Sequence, residues 1–228
     1  MIPMNLKMIL ALFGVMLFGA GIVMAIAGAT PTQIGDQYRW SGNASSSLTT
    51  EGGNITAANV GGVALTDRWA AFFGNISSTI VLGNNSNYVY QWSYSTTTGG
   101  EVCLSTNSSY PFAGIRSATV ATVPLLNSAF THGVASDNAT NTFTTTATCN
   151  LQFDGGVAAS NTANVATQGG FNTCMIQNNN ATKSNFAFCT AINSSGTNYL
   201  TNQANYQVMV PTTPGSGTAT YFFYMVLN

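Results

Sequence analysis

Residues 88–94 read Tyr88-Val89-Tyr90-Gln91-Trp92-Ser93-Tyr94, with every aromatic ring on one parity and Val, Gln and Ser on the other. Successive side chains of a β-strand point to opposite faces, so this spacing predicts a strand with one aromatic face. Upstream, Arg68–Phe73 (RWAAFF) and Ile76–Leu82 (ISSTIVL) are separated by Gly74-Asn75 and followed by Gly83-Asn84-Asn85. Gly and Asn tolerate the backbone of tight turns, and the three runs read as an antiparallel meander. Further out, Thr119–Leu126, Thr142–Cys149, Tyr206–Val210 and Thr220–Leu227 read as strands. The last is apolar at both parities, as expected of a strand covered on both faces. No segment after residue 29 sustains a 3.6-residue period. The expected fold class is all-β, an antiparallel β-sandwich of Ig-like or jelly-roll-like type over residues 61–228. An N-terminal hydrophobic signal or anchor helix and an extended polar arm, or weak first strands, at 30–60 precede it.

Composition narrows the function. Of 228 residues only 5% are charged, against 45% hydrophobic, with five Lys and Arg, six Asp and Glu and a net charge of −1. Ordinary soluble domains carry about 25% charged residues. Five cations cannot neutralise a nucleic-acid backbone, so no nucleic-acid partner is expected. Ser and Thr occupy 51 positions and Asn 25, and these neutral hydrogen-bonding groups must wet the surface.

The N-terminus supplies an address. Lys7 precedes an uncharged run at residues 8–27 that ends in Ala27-Gly28-Ala29. A cation, an apolar stretch and an A-x-A end describe a secretory signal peptide covering residues 1–29. Twenty apolar residues also suffice to span a bilayer, so a retained anchor through residues 8–27 is the competing expectation, and a pilin-like helix the third. All three imply an extracellular or cell-surface location. Four cysteines, Cys103, Cys149, Cys174 and Cys189, fit two disulfides in such a compartment. Cys174 and Cys189 flank two apolar runs around an Asn-rich tip, which suggests a hairpin stapled by a Cys174–Cys189 bond and leaves Cys103 with Cys149. N-x-S/T sequons at Asn43, Asn54, Asn75, Asn84, Asn107, Asn138, Asn180 and Asn193 mark expected surface loops for N-glycans.

Groups able to do chemistry are sparse. His132, the single histidine, stands near Asp137, but no G-x-S-x-G nucleophile elbow accompanies them, and a surface loop histidine is the plainer reading. Asp36, Glu51, Asp67, Glu101, Asp137 and Asp154 are scattered singly, without the pairing that glycoside hydrolysis needs, and Asp67 reads as an ion-pair partner of Arg68. Asp154-Gly155-Gly156 lacks the spaced acids of a calcium loop. No catalytic residue, metal or cofactor is therefore expected, and the chain reads as a non-enzyme. The row Tyr88, Tyr90, Trp92 and Tyr94 reads either as a core face or as a sugar-stacking platform.

Thr50-Glu51-Gly52-Gly53-Asn54-Ile55-Thr56, Thr66-Asp67-Arg68-Trp69-Ala70 leading to Gly74-Asn75-Ile76-Ser77, Ser136–Thr144, and the ending from Pro211 through Tyr221-Phe222-Phe223-Tyr224 resemble a family of secreted archaeal surface proteins. The resemblance implies an exported all-β domain and transfers no catalytic residue. The expectation is a glycosylated structural subunit of a filament or coat that self-associates. The arm at 30–60 and the apolar strand at 220–227 would suit donor-strand addition. A glycan-binding adhesin using the aromatic face is the alternative.

Overall fold

The computed structural model describes residues 27–39, 47–84, 86–95, 99–112, 114–151, 158–178 and 182–227. The apolar run at 8–26, Trp40, the sequons Asn43 and Asn180, and Asp154 lie outside them. No helix among the described residues is long and apolar enough to cross a membrane.

Most of the regular structure is antiparallel β. The centre of the molecule is built from β5 (Gly100–Ser105), β9 (Asn172–Gln177) and β10 (Phe186–Ala191), with β10 between the other two. β12 (Phe222–Leu227) and then β1 (Ala27–Ala29) extend the sheet beyond β5. β8 (Ala158–Ala166) and β7 (Thr145–Asn150) extend it beyond β9, which also pairs with the short β6 (Arg116–Ser117). A separate two-stranded ribbon joins β2 (Trp69–Gly74) to β11 (Tyr206–Pro211), and β3 (Thr79–Gly83) pairs with β4 (Tyr88–Ser93) as a hairpin of its own.

Alternation along the central strands explains why the sheet is covered on both sides. Leu104, Met175, Phe186 and Phe188 enter one core, where Val208 and Val210 of β11 and Trp69, Ala70 and Phe72 of β2 close over them. Their chain neighbours Cys103, Cys174, Ile176, Ala187 and Cys189 enter a second core, closed by Tyr110, Phe112 and Ile115. A residue-by-residue switch of face is the strand's own geometry, so a run such as Phe-Ala-Phe-Cys serves both cores. Gly100 opens β5 at φ 115°, where a Cβ would lie 2.3 Å from the Val226 carbonyl oxygen; only glycine fits that approach.

Three expectations are corrected here. The run Arg68–Phe73 does supply a strand, β2 at Trp69–Gly74, but it pairs with β11 across the chain, so among the described residues only β3 and β4 of the expected meander pair with each other. Thr119–Leu126 is no strand: Val120–Thr122 forms a 3₁₀ turn that runs into helix α1 (Val123–Phe130). Pro124 sits in the first helical turn, where its missing N–H has no partner to lose, and Val123, Leu126 and Phe130 bury one face. Proline inside an apparent strand was the available signal, since it cannot donate to a ladder.

The third concerns the disulfides, which are Cys103–Cys189 and Cys149–Cys174. The expected hairpin exists, because β9 and β10 are antiparallel with Cys174 opposite Cys189. Yet Cys189 also lies opposite Cys103 on β5, with Cα atoms 4.1 Å apart. An antiparallel residue directs both backbone groups to one neighbour, so it approaches the other closely. The β5 side is the close side, and that pair is bridged. Cys174 is left to reach Cys149 at a Cα separation of 6.4 Å. Thr220–Leu227 places Tyr224 and Val226 in the second core and Phe223 and Leu227 against the first, as its two apolar faces suggested, although Phe222 is exposed.

Candidate functional site

The β3–β4 hairpin stands outside both cores. Ile80 is paired with Trp92 and Leu82 with Tyr90, so these four share one face, and parity adds Tyr88 beyond an irregularity at Gly83. Tyr88 is 62% exposed and Trp92 47%, and Tyr90, Ile80 and Leu82 are exposed with them. The reading of this row as a core face is thereby corrected for Tyr88, Tyr90 and Trp92. Tyr90 and Trp92 pack with ring centroids 4.8 Å apart, inclined at 58°. Val81 and Val89 are exposed on the other face. Tyr94 differs: it is half-buried against the first core, and its hydroxyl donates to the Gly99 carbonyl. Burial and the nearby Glu101 carboxylate hold that phenol above its usual pKa.

An isolated two-stranded hairpin is at best marginally stable in water, so an apolar ribbon with rings on one face and valines on the other invites a partner. Sequence periodicity found the rings. It could not find Ile80 and Leu82 as members of the same surface, because that depends on the register with β4.

No known protein family, curated protein or solved structure matches this chain.

The polar groups that do converge meet at the root of the arm. Thr131 closes α1 at φ 59°, turning the chain so that His132 packs edge-on against Trp69, ring centroids 5.2 Å apart. His132 is 1% exposed, which corrects the surface reading. Its Nε2 lies 2.9 Å from the Thr212 carbonyl oxygen, which only accepts, so Nε2 carries the proton. Nδ1 is buried with no hydrogen-bond partner among the described residues. Burial holds the imidazole below its usual pKa, against the opposing pull of the Thr212 bond. With Nε2 committed to a carbonyl and Nδ1 touching no carboxylate, this pair does not form a Ser-His-Asp relay.

Asp137 works as a clasp. Its carboxylate accepts the Thr66 hydroxyl at 2.6 Å and faces Arg68 Nη1 at 3.3 Å, while its carbonyl accepts Trp69 Nε1. The Thr66 bond chiefly holds that carboxyl below its usual pKa. Arg68 also pairs with Asp67 at 3.0 Å, as expected, and donates Nε to the His132 carbonyl at 3.2 Å. The cluster ties Thr66, a few residues beyond the arm, and the start of β2 to the loop after α1. Of the other carboxylates, Asp36 and Glu51 are exposed and far apart in sequence, and Glu101 is fully buried in β5. No group of three or more His, Cys, Asp or Glu able to hold a metal occurs among the described residues. A shallow groove of about 280 Å³ is lined by Thr106, Phe130, Lys183, Thr213 and Ser216. Its one ammonium donates to Thr213 at 2.5 Å and lies 5.2 Å from the centre of the Phe130 ring.

The sequons divide. Asn54, Asn75 and Asn84 are exposed, and Asn107 and Asn193 half-buried. Asn138 is a correction to the surface-loop expectation: it is 8% exposed and caps helix α2 (Ala139–Thr142) by accepting from Asn141 N at 2.8 Å. Its Nδ2, the atom a glycan would occupy, donates to the Gly133 carbonyl.

Proposed function

We propose that this chain is an exported structural subunit of the cell surface that self-associates into a filament or coat, as its resemblance to secreted archaeal surface proteins implies. The observation that carries the reading is the apolar surface left outside both cores. Every described residue from 30 to 67 is exposed and in neither helix nor strand. Val60 there is 97% exposed, with Ile55 and Val63 exposed beside it. Monomers rarely leave contiguous apolar patches open, and copies of the chain would cover them. Two disulfides suit an oxidising compartment. In this reading the β2–β11 ribbon over the main sheet is a reduced β-sandwich, residues 1–29 are a signal peptide or anchor, and Ser, Thr, Asn and glycans at the exposed sequons supply the hydration that charge does not. Electron microscopy of surface material sheared from the cells, with mass spectrometry of its subunit, tests it. Filaments or sheets of a glycosylated chain are expected, and a dispersed monomer would overturn the proposal.

The exposed aromatic face favours a second reading, a glycan-binding adhesin. Rings offer apolar faces to sugars and polar tips to water. Tyr90→Ala with Trp92→Ala should then abolish glycan binding with the melting profile intact; unchanged binding removes this reading.

A further inference from the structure

We propose that loss of residues 1–29 makes the chain a strand acceptor and a strand donor in one step, the outer edge of β12 receiving residues 53–65 of a second copy. This deepens the self-associating reading and rests on it.

Among the described residues the outer edge of β12 is covered by three, Ala27 opposite Met225, Gly28 opposite Tyr224 and Ala29 opposite Phe223. These are the same Ala-Gly-Ala that form the cleavage signal. Hydrolysis of the Ala29–Thr30 peptide bond by a signal peptidase, with water supplying hydroxyl to the Ala29 carbonyl and hydrogen to the Thr30 nitrogen, removes all three. What remains is a sheet edge reading Phe-Phe-Tyr-Met-Val-Leu. Exposed edges are ordinarily blunted by charge, proline or a bulge, and this one has none of them in its sequence. The edge also has room: a Cβ built on Gly28 meets nothing within 4 Å, so a strand with larger side chains can lie there.

The same cut frees the donor. While β1 is in place, the arm is held at both ends by one subunit, at β12 and at the Thr66–Asp137–Arg68 clasp. After it, the clasp remains as the tie among the described residues. Held at Thr66, the segment back to Gly53 can extend roughly 43 Å at about 3.3 Å per residue, enough to lie along the β12 edge of a subunit docked at the arm's root. Within 53–65 the arm exposes Ile55, Val60, Val63 and Leu65. The single backbone hydrogen bond between described residues of residues 47–66 is Asn54 N to Glu51 O, so its amides and carbonyls are available for a ladder. Strand addition supplies main-chain hydrogen bonds together with sockets for alternate side chains.

The test compares three full-length genes expressed in the native host: the natural sequence, Ala27→Leu with Ala29→Leu to block processing, and Ile55→Asp with Val60→Asp and Val63→Asp in the arm. Sedimentation gives the assembly state, and amide exchange follows residues 222–227. Expected are polymers with protected β12 amides for the natural chain, and folded monomers for the other two. In the arm variant the β12 amides should exchange at least tenfold faster. Polymers formed equally by the arm variant or by the unprocessed chain overturn this inference and leave self-association standing. A natural chain that is processed and stays monomeric, its own arm protecting β12, overturns both.

Discussion

β4 and β10 read alike and fare differently. Tyr-Val-Tyr-Gln-Trp-Ser and Phe-Ala-Phe-Cys-Thr-Ala both alternate large aromatics with smaller residues. Every residue of β4 is exposed, while all of β10 but its last is buried. Alternation specifies a strand with two unlike faces, and nothing in it specifies what covers them. β10 lies between β5 and β9, with a ribbon and helix over one face and Tyr110, Phe112 and Ile115 over the other. β4 has only β3. The comparison teaches that apolar pattern becomes stability where a second layer exists, and becomes a surface for a partner where none does.

The largest effect expected is on the β10 side. Cys103→Ala with Cys189→Ala opens a loop of 86 residues, and the chain-entropy relation puts the loss at roughly 4.5 kcal/mol. Urea unfolding of the folded, oxidised chain measures it. If the midpoint hardly moves, the central ladder is not what holds the molecule together.

Phe188→Ala in the first core should cost about 3–5 kcal/mol by the same measurement, through lost burial and the cavity left behind. A cost below about 1 kcal/mol would erase the contrast with β4.

Acid should act through the clasp in two stages. His132 is held neutral below its usual pKa of about 6.5, so the unfolded chain binds its proton first as pH falls. Stability is full above that value and declines below it, until the folded histidine also titrates, by at most about 1.4 kcal/mol per pH unit for one proton. The depressed Asp137 adds a second decline, beginning as pH falls toward its ordinary value of 3.8. The urea midpoint followed from pH 8 to pH 3 should show this slope, and His132→Phe should flatten its upper part. An upper slope unchanged in that variant would remove the histidine from the account.

The smallest effect belongs to β4. Trp92→Ala should stay within about 0.5 kcal/mol, the range of a surface substitution. A loss comparable to that of Phe188→Ala in dilute monomer would mean that the hairpin is covered in solution.

Much of the candidate surface was legible. The aromatic parity of residues 88–94 located a strand, and Gly83-Asn84 located its turn, because both signals are local. Ile80 and Leu82 joined that face only through the inter-strand register. The clasp was half-legible: Asp67 beside Arg68 suggested an ion pair, while the approach of Thr66, Asp137 and His132 depends on how α1 ends at Thr131. β8 is not legible in the sequence because Ala-Ala-Ser-Asn-Thr-Ala-Asn-Val-Ala carries little apolar signal, nor β5, whose Gly and Glu mask Val102 and Leu104.

By itself the sequence determined the class of structure, since Val, Thr and aromatic residues at period two, punctuated by Gly and Asn, favour antiparallel strands. It determined also that charge would not wet the surface. Only the tertiary structure decided which cysteines join, since Cys189 has a cysteine on either side and the closer backbone spacing settles the choice. Only it decided which aromatic strand is covered, because burial belongs to the neighbours a strand acquires.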